Sequence, residues 1–127
     1  MKNLLEGVHP RLIEKIERVL KAMEALGQPM FVCQGVRTTE QQQALYAQGR
    51  TRPGAVVTKA DGVVNKSNHQ VKADGFGHAV DCAFQNGEPF GEFQPWKTYG
   101  ACCDAVGLIW GGSWKTILDR PHAELPL

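Results

Sequence analysis

A small α+β domain is the fold class this sequence predicts, and three observations predict it. The chain has 127 residues, enough for one compact core and short for two, so residues 1–127 read as one domain. Residues 9–26 and 95–106 repeat apolar side chains at three- and four-residue steps, the period of an amphipathic helix. Short β-prone runs at 29–36, 77–84, 108–110 and 122–125, bounded by glycine, proline or aspartate, supply the strands.

In chain order, the first helix spans 9–26. Leu12, Ile13, Ile16, Val19, Leu20, Met23 and Leu26 form its apolar stripe, Lys15, Arg18 and Lys21 turn outward, Pro10 suits the first turn and Gly27 the end. His9 reads as a boundary residue. PMFVCQGV at 29–36 is a buried strand, and Arg37 stands at its end, where a cation can hold an anionic substrate group. Thr38 or Thr39 then caps a helix running to Gln48. Residues 50–65 form a long loop with turn signals at Pro53-Gly54 and Asp61-Gly62 and room for a small hairpin; loops of this length often wall a cleft.

GHAVDCAF at 77–84 alternates. Ala79, Asp81 and Ala83 share one face, His78, Val80 and Cys82 the other, so His78 and Asp81 point apart. A carboxylate inside a strand costs several kcal/mol unless it is paired or on a metal. Residues 86–93 are a loop. The helix at 95–106 turns Trp96, Tyr99, Cys102, Cys103 and Val106 inward. A short strand at 108–110, a turn at 111–114 and a last strand at 122–125 complete the reading, and Trp110 and Trp114 suit either a cleft wall or the core.

The bulk numbers exclude several classes. A hydrophobic fraction of 43% with 21% charged residues is that of a soluble globular protein. No apolar run approaches the roughly 20 residues of a membrane span, so no stable membrane insertion is expected. Glu6, His9, Arg11 and Glu14 interrupt the N-terminal stretch, so no ordinary secretory signal is expected. A net charge of +1 gives no electrostatic footprint for nucleic acid. Cys33, Cys82, Cys102 and Cys103 follow no metal-binding spacing and read as small buried thiols; a Cys33–Cys82 bridge requires neighbouring strands.

The chemistry concentrates in two stretches, SNHQVKADGFGHAVD at 67–81 and DRPH at 119–122. A catalytic zinc typically takes three protein ligands and leaves its fourth position to water. His69, Asp81 and His122 meet that count, strand parity favours His69 over His78 as the partner of Asp81, and Asp119 is a spare carboxylate placed to act as general base and acid.

These motifs resemble those of the zinc peptidases that include D-alanyl-D-alanine carboxypeptidases and phage L-alanyl-D-glutamate endopeptidase endolysins. The resemblance runs in order through GVRTTEQQQALYAQGRTRPG at 35–54, SNH at 67–69, GHAVD at 77–81 and LIWGGSWKTILDRPHAEL at 108–125. The pattern S-x-H, A-x-D, D/E-x-x-H falls on Ser67, His69, Ala79, Asp81, Asp119 and His122. It implies helices packed on an antiparallel sheet, in a D-Ala-D-Ala peptidase/hedgehog-like fold. It implies zinc on His69, Asp81 and His122, with Asp119 as general base and acid. Arg37 would bind a substrate carboxylate or stabilise the oxyanion, Ser67 would line the substrate site, and Gln43 or Gln41 would support the cleft.

The function this resemblance implies is that of a zinc-dependent peptidoglycan peptidase cleaving the L-Ala–D-Glu bond. It would be a phage-type lysin, monomeric, made in the host cytoplasm and released to the wall through a holin. A D-Ala-D-Ala carboxypeptidase and a noncatalytic zinc-stabilised wall-binding module are the competing readings, and a metal-dependent nuclease lacks the charge. Two features depart from the family pattern. Eleven residues, instead of the usual six, separate His69 from Asp81; if the extra five around 71–75 do not bulge out, His78 would replace His69 as ligand. Ser113 stands where many relatives carry an acid.

Overall fold

The computed structural model describes residues 4–126. Four strands, β1 (Met30–Gln34), β2 (Ala79–Phe84), β3 (Ile109–Trp110) and β4 (His122–Glu124), form one sheet in the order β1-β2-β4-β3, with every pairing antiparallel. Helices α1 (Pro10–Ala25), α2 (Thr39–Ala47) and α3 (Trp96–Ala105) complete the expected α+β arrangement.

The helices form where caps and periodicity coincide. His9 is the cap of α1: its Nδ1 accepts the Arg11 amide at 3.0 Å, and Pro10 occupies the first helical position, where no amide is needed. The stripe of α1 buries Leu12, Ile16, Val19 and Met23, each stabilising by roughly 1.5–3 kcal/mol. Lys15, expected to face solvent, instead reaches Val106 O at the end of α3, at 2.5 Å, where a cation complements the carbonyl end of a helix. Thr38 and Gln41 form a reciprocal capping box at the start of α2.

The core lies between the α1 and α3 faces and β2, built from Val80, Cys82, Phe84, Trp96, Tyr99 and Cys103 around the α1 stripe. Tyr99 is fully buried and its hydroxyl donates to Pro121 O at 2.9 Å, a carbonyl that also accepts the Cys82 amide at 3.0 Å. That double contact pins the entry to β4. The thiols are free: Cys33 and Cys82 do lie on paired strands, as a bridge would require, but no disulfide joins them.

Two irregularities set the site. In β1 the register moves from Val32 opposite Cys82 to Gln34 opposite Asp81. This bulge at Cys33 puts Gln34, Asp81 and His122 in one row across three strands. The extra residues between His69 and Asp81 fold into a closed turn, with Lys72 N donating to Phe76 O, Gly75 N to Lys72 O, and the Asp74 carboxylate accepting the Phe76 amide. The excursion returns to its start, and no β-hairpin forms in residues 50–65.

Candidate metal centre

His69 Nε2, Asp81 Oδ1 and His122 Nδ1 converge at separations of 3.2, 3.2 and 3.5 Å. Ligand atoms at roughly 2.0–2.1 Å from a tetrahedral zinc lie about 3.3 Å apart, so the triangle has the size of one face of a zinc site.

The protons point the same way. His69 Nδ1 lies 2.9 Å from Gly35 O; a carbonyl only accepts, so the ring's proton sits there and Nε2 offers a lone pair. His122 Nε2 lies 2.7 Å from Glu124 Oε1, which leaves the Nδ1 lone pair facing inward. Asp81 Oδ1 is buried and makes no hydrogen bond. Three electron pairs thus meet with no donor between them, an arrangement that a cation satisfies. Without a metal a proton takes that place. Burial works against it, but Asp81 and Glu124 raise the His122 pKa to about 9. Asp81 shows the reverse: burial would raise it, yet the His122 and His69 rings hold its carboxyl well below the usual range.

Backbone contacts fix each group. Arg37 N donates to His69 O at 2.8 Å, and Ser67 Oγ accepts the His69 amide at 3.2 Å. Asp119 N donates to Gly111 O, and His122 N to Asp119 O. A Cβ on Gly111 would stand 2.3 Å from Asp119 O, so only glycine permits this approach. Asp119 Oδ2 ends 3.7 Å from His122 Nδ1 with its side chain 39% exposed. Burial and the Asp81 charge raise its pKa, against the pull of His122, His69 and Arg37. It is therefore a carboxylate beside the cation position that is free to exchange a proton.

Arg37 is buried on the other side. Its Nη1 donates to Gln42 Oε1 at 2.5 Å and its Nη2 to Gln34 Oε1 at 2.8 Å, while Asp81 Oδ2 lies 4.0 Å away and Nε is buried without a partner. The site opens into a cleft of about 740 Å³, lined among others by Arg37, Ser67, Trp114, Ile117 and Asp119.

The structure brings His69, Asp81, His122, Asp119, Arg37, Ser67 and Trp114 together, Trp114 with its ring 4.9 Å from that of His122. Gln43, expected to support the cleft, and Trp110, expected at the cleft wall or in the core, stand away from the cleft. Gln43 is exposed, Gln41 is used by the helix cap, and the glutamine of the site is Gln42, fully buried and donating onward to Ala60 O and Thr58 Oγ1. Trp110 packs against Gly100 and Gly112 and donates to Arg120 O at 2.7 Å, so it steadies the segment before His122 instead of lining the cleft. His78 turns away from Asp81 to pair with Asp74 at 2.6 Å. Residue reading missed Gln34, Asn68 and Glu124. Glu124 had a signal, since it lies two residues from His122 on a strand and so shares its face.

Known proteins are similar to this chain. A family model described as D-alanyl-D-alanine carboxypeptidase matches residues 61–125, just over half of the chain. The peptidoglycan L-alanyl-D-glutamate endopeptidase CwlK of Bacillus subtilis is 29% identical over 93% of this chain and 73% of its own length. The crystal structure of the L-Ala D-Glu endopeptidase ChiX of Serratia marcescens superposes with a TM-score of 0.62 at 26% identity, covering 97% of this chain and 84% of that one. A Zn(II) complex of the vancomycin-resistance D,D-pentapeptidase VanY shares the fold, with a TM-score of 0.65 at 20% identity over 98% of this chain and 76% of that one. With the matched segment running from the cleft wall through all three converging side chains, this chain is a metallopeptidase that belongs to the D-alanyl-D-alanine carboxypeptidase family.

Proposed function

We propose that this chain is a zinc-dependent endopeptidase that hydrolyses the L-Ala–D-Glu bond in the stem peptides of bacterial peptidoglycan. The observation that carries the hydrolytic part is the convergence of three ligand atoms beside a spare carboxylate, Asp119, at the floor of an open cleft. The choice of bond rests on the likeness, along nearly the whole chain, to two endopeptidases of that specificity.

His69, Asp81 and His122 would hold the ion, and zinc there supplies Lewis acidity, polarising a carbonyl and acidifying water. Asp119 takes the proton of the attacking water and delivers it to the leaving amine; its raised pKa suits a group that must both accept and return a proton. Arg37, held by Gln42 and Gln34, presents a fixed cation to the oxyanion or to a substrate carboxylate. Trp114 offers an apolar wall beside His122. The reading extends to a monomeric phage-type lysin that reaches the wall from the cytoplasm through a holin-type pore, an extension that rests on the family resemblance alone.

A second reading, a D-Ala-D-Ala carboxypeptidase, is favoured by the description of the matching family and by the buried guanidinium, which suits a terminal carboxylate. Mass spectrometry of the soluble products of peptidoglycan digestion, with and without a zinc chelator, separates the two. Chelator-sensitive release of peptides beginning with D-Glu is expected. Loss of only a terminal D-Ala would replace the endopeptidase by the carboxypeptidase, and no product from a folded, zinc-loaded protein would leave a noncatalytic wall-binding module.

A further inference from the structure

Glu124 lies outside the S-x-H, A-x-D and D/E-x-x-H pattern, yet both of its oxygens are committed to the site. It ends β4, with a side chain only 12% exposed. Oε1 lies 2.7 Å from His122 Nε2, and Oε2 accepts the Asn68 amide at 2.6 Å. Asn68 precedes His69, and its backbone carbonyl accepts the His78 amide at 2.8 Å, so its position is fixed independently. One carboxylate therefore ties the strand that carries His122 to the segment that carries His69.

This tie bears on which atom of His122 is available. A neutral imidazole has one proton to divide between its two nitrogens, and only the form with Nδ1 bare can offer a ligand atom to the triangle. A carboxylate at hydrogen-bond distance from Nε2 draws the proton there. We propose that Glu124 is a positioning residue for the metal. It selects Nδ1 of His122 as the ligand atom and, through Asn68, holds that nitrogen and His69 Nε2 at their 3.2 Å separation. The inference rests on the metal reading of the site and adds to it a residue outside the three ligands, on the wall of the same cleft.

The test is zinc affinity, measured by competition with a chromophoric chelator, on the full chain and on Glu124→Ala, Glu124→Gln, Asn68→Ala and Asp81→Asn. Thermal unfolding with and without zinc accompanies it. Glu124→Ala should bind zinc about 10- to 100-fold more weakly. Glu124→Gln, whose amide oxygen still accepts a hydrogen bond, should retain part of the difference, and Asn68→Ala should show a smaller loss in the same direction. The rise in melting temperature on adding zinc should shrink in step. A merely structural role would lower the melting temperature of the free and loaded forms alike and leave affinity unchanged, and that result overturns the inference. Where Glu124→Ala does not fold, Glu124→Gln decides: weaker binding supports the role, and binding equal to that of the unaltered chain overturns it. If Asp81→Asn loses zinc while Glu124→Ala keeps it, this inference alone falls. If the folded, unaltered chain binds no zinc, the metal reading falls and takes the inference with it.

Discussion

Two clusters of identical composition, His69-Asp81-His122 and His9-Asp74-His78, each bring three ligand atoms within 4.8 Å of one another, and they are built for different things. In the first the separations are nearly equal, at 3.2 to 3.5 Å. In the second, Asp74 Oδ2 is 2.6 Å from His78 Nε2 and 3.9 Å from His9 Nε2, one hydrogen bond and one longer charge contact. The cause lies in the outer nitrogens. Those of His69 and His122 face acceptors, Gly35 O and Glu124, which hold the protons outside and leave lone pairs inside. The outer nitrogen of His9 faces a donor, the Arg11 amide, so its proton is on Nε2, toward Asp74. A histidine–carboxylate cluster becomes a metal site through what its far side touches, and residue counts alone do not distinguish the two.

The largest expected effect breaks the symmetry of composition outright. Asp81→Asn should abolish both zinc binding and hydrolysis, whereas Asp74→Asn should leave both intact, as read by equilibrium dialysis and peptidoglycan turnover. Zinc at about 100 times its Kd should stabilise the unaltered chain by about 2.7 kcal/mol, and a chelator should remove that increment. Next in size is Asp119→Asn. It removes the proton carrier and keeps the ligands, so turnover should drop by about 10²- to 10⁴-fold with one zinc still bound. Comparable turnover in that variant would disprove the role.

The first cluster also has a pH signature. In the metal-free chain the His122 pKa stands at about 9 because Asp81 and Glu124 overcome burial, above its ordinary value near 6.5. A raised histidine stabilises the fold fully below the ordinary value and loses that contribution as pH climbs through about 9. The melting temperature of the metal-free chain should therefore fall between pH 7 and 9.5. Zinc must displace this proton, so its affinity should climb about tenfold per pH unit up to about pH 9 and then flatten. Chelator competition at several pH values measures the slope, and a flat profile from pH 7 to 8.5 would contradict the proton inventory of the first cluster.

Much of this was legible in the residues, for physical reasons that also mark where legibility stops. The α1 stripe is periodic, and its period reports burial directly, so the helix follows; the two-residue parity of an extended chain gives the opposite orientation of His78 and Asp81. Asp81 stands out because a carboxylate inside a strand is costly without a partner, and His69 and His122 because they complete a three-ligand count and fall on the S-x-H and D/E-x-x-H motifs. Gln42 did not stand out: Gln41, Gln42 and Gln43 are chemically identical, and only the phase set by the Thr38 cap decides which one is buried. The bulge at Cys33 has no glycine or other local mark, yet it aligns Gln34 with Asp81. Trp110 and Trp114 differ in role because Gly100 and Gly112 leave room for the Trp110 ring, a fact of packing between distant segments.

The smallest expected effect belongs to the second cluster. Asp74, His78 and His9 have side chains 40%, 20% and 24% exposed, so water competes for their charges, and such pairs stabilise little. Asp74 also accepts the Phe76 amide, and this backbone bond, ahead of the two histidines, lowers its pKa. Its main service is to close the turn that accommodates the extra residues between His69 and Asp81. His78→Asn keeps that turn and removes the ring, so it should change stability little and leave zinc at one equivalent per chain. Asp74→Ala opens the turn and should cost more than His78→Asn. Two equivalents of zinc in the unaltered chain, reduced to one by His78→Asn, would show that the His9 ring gives up its cap to bind an ion, and would break the distinction drawn from the outer nitrogens.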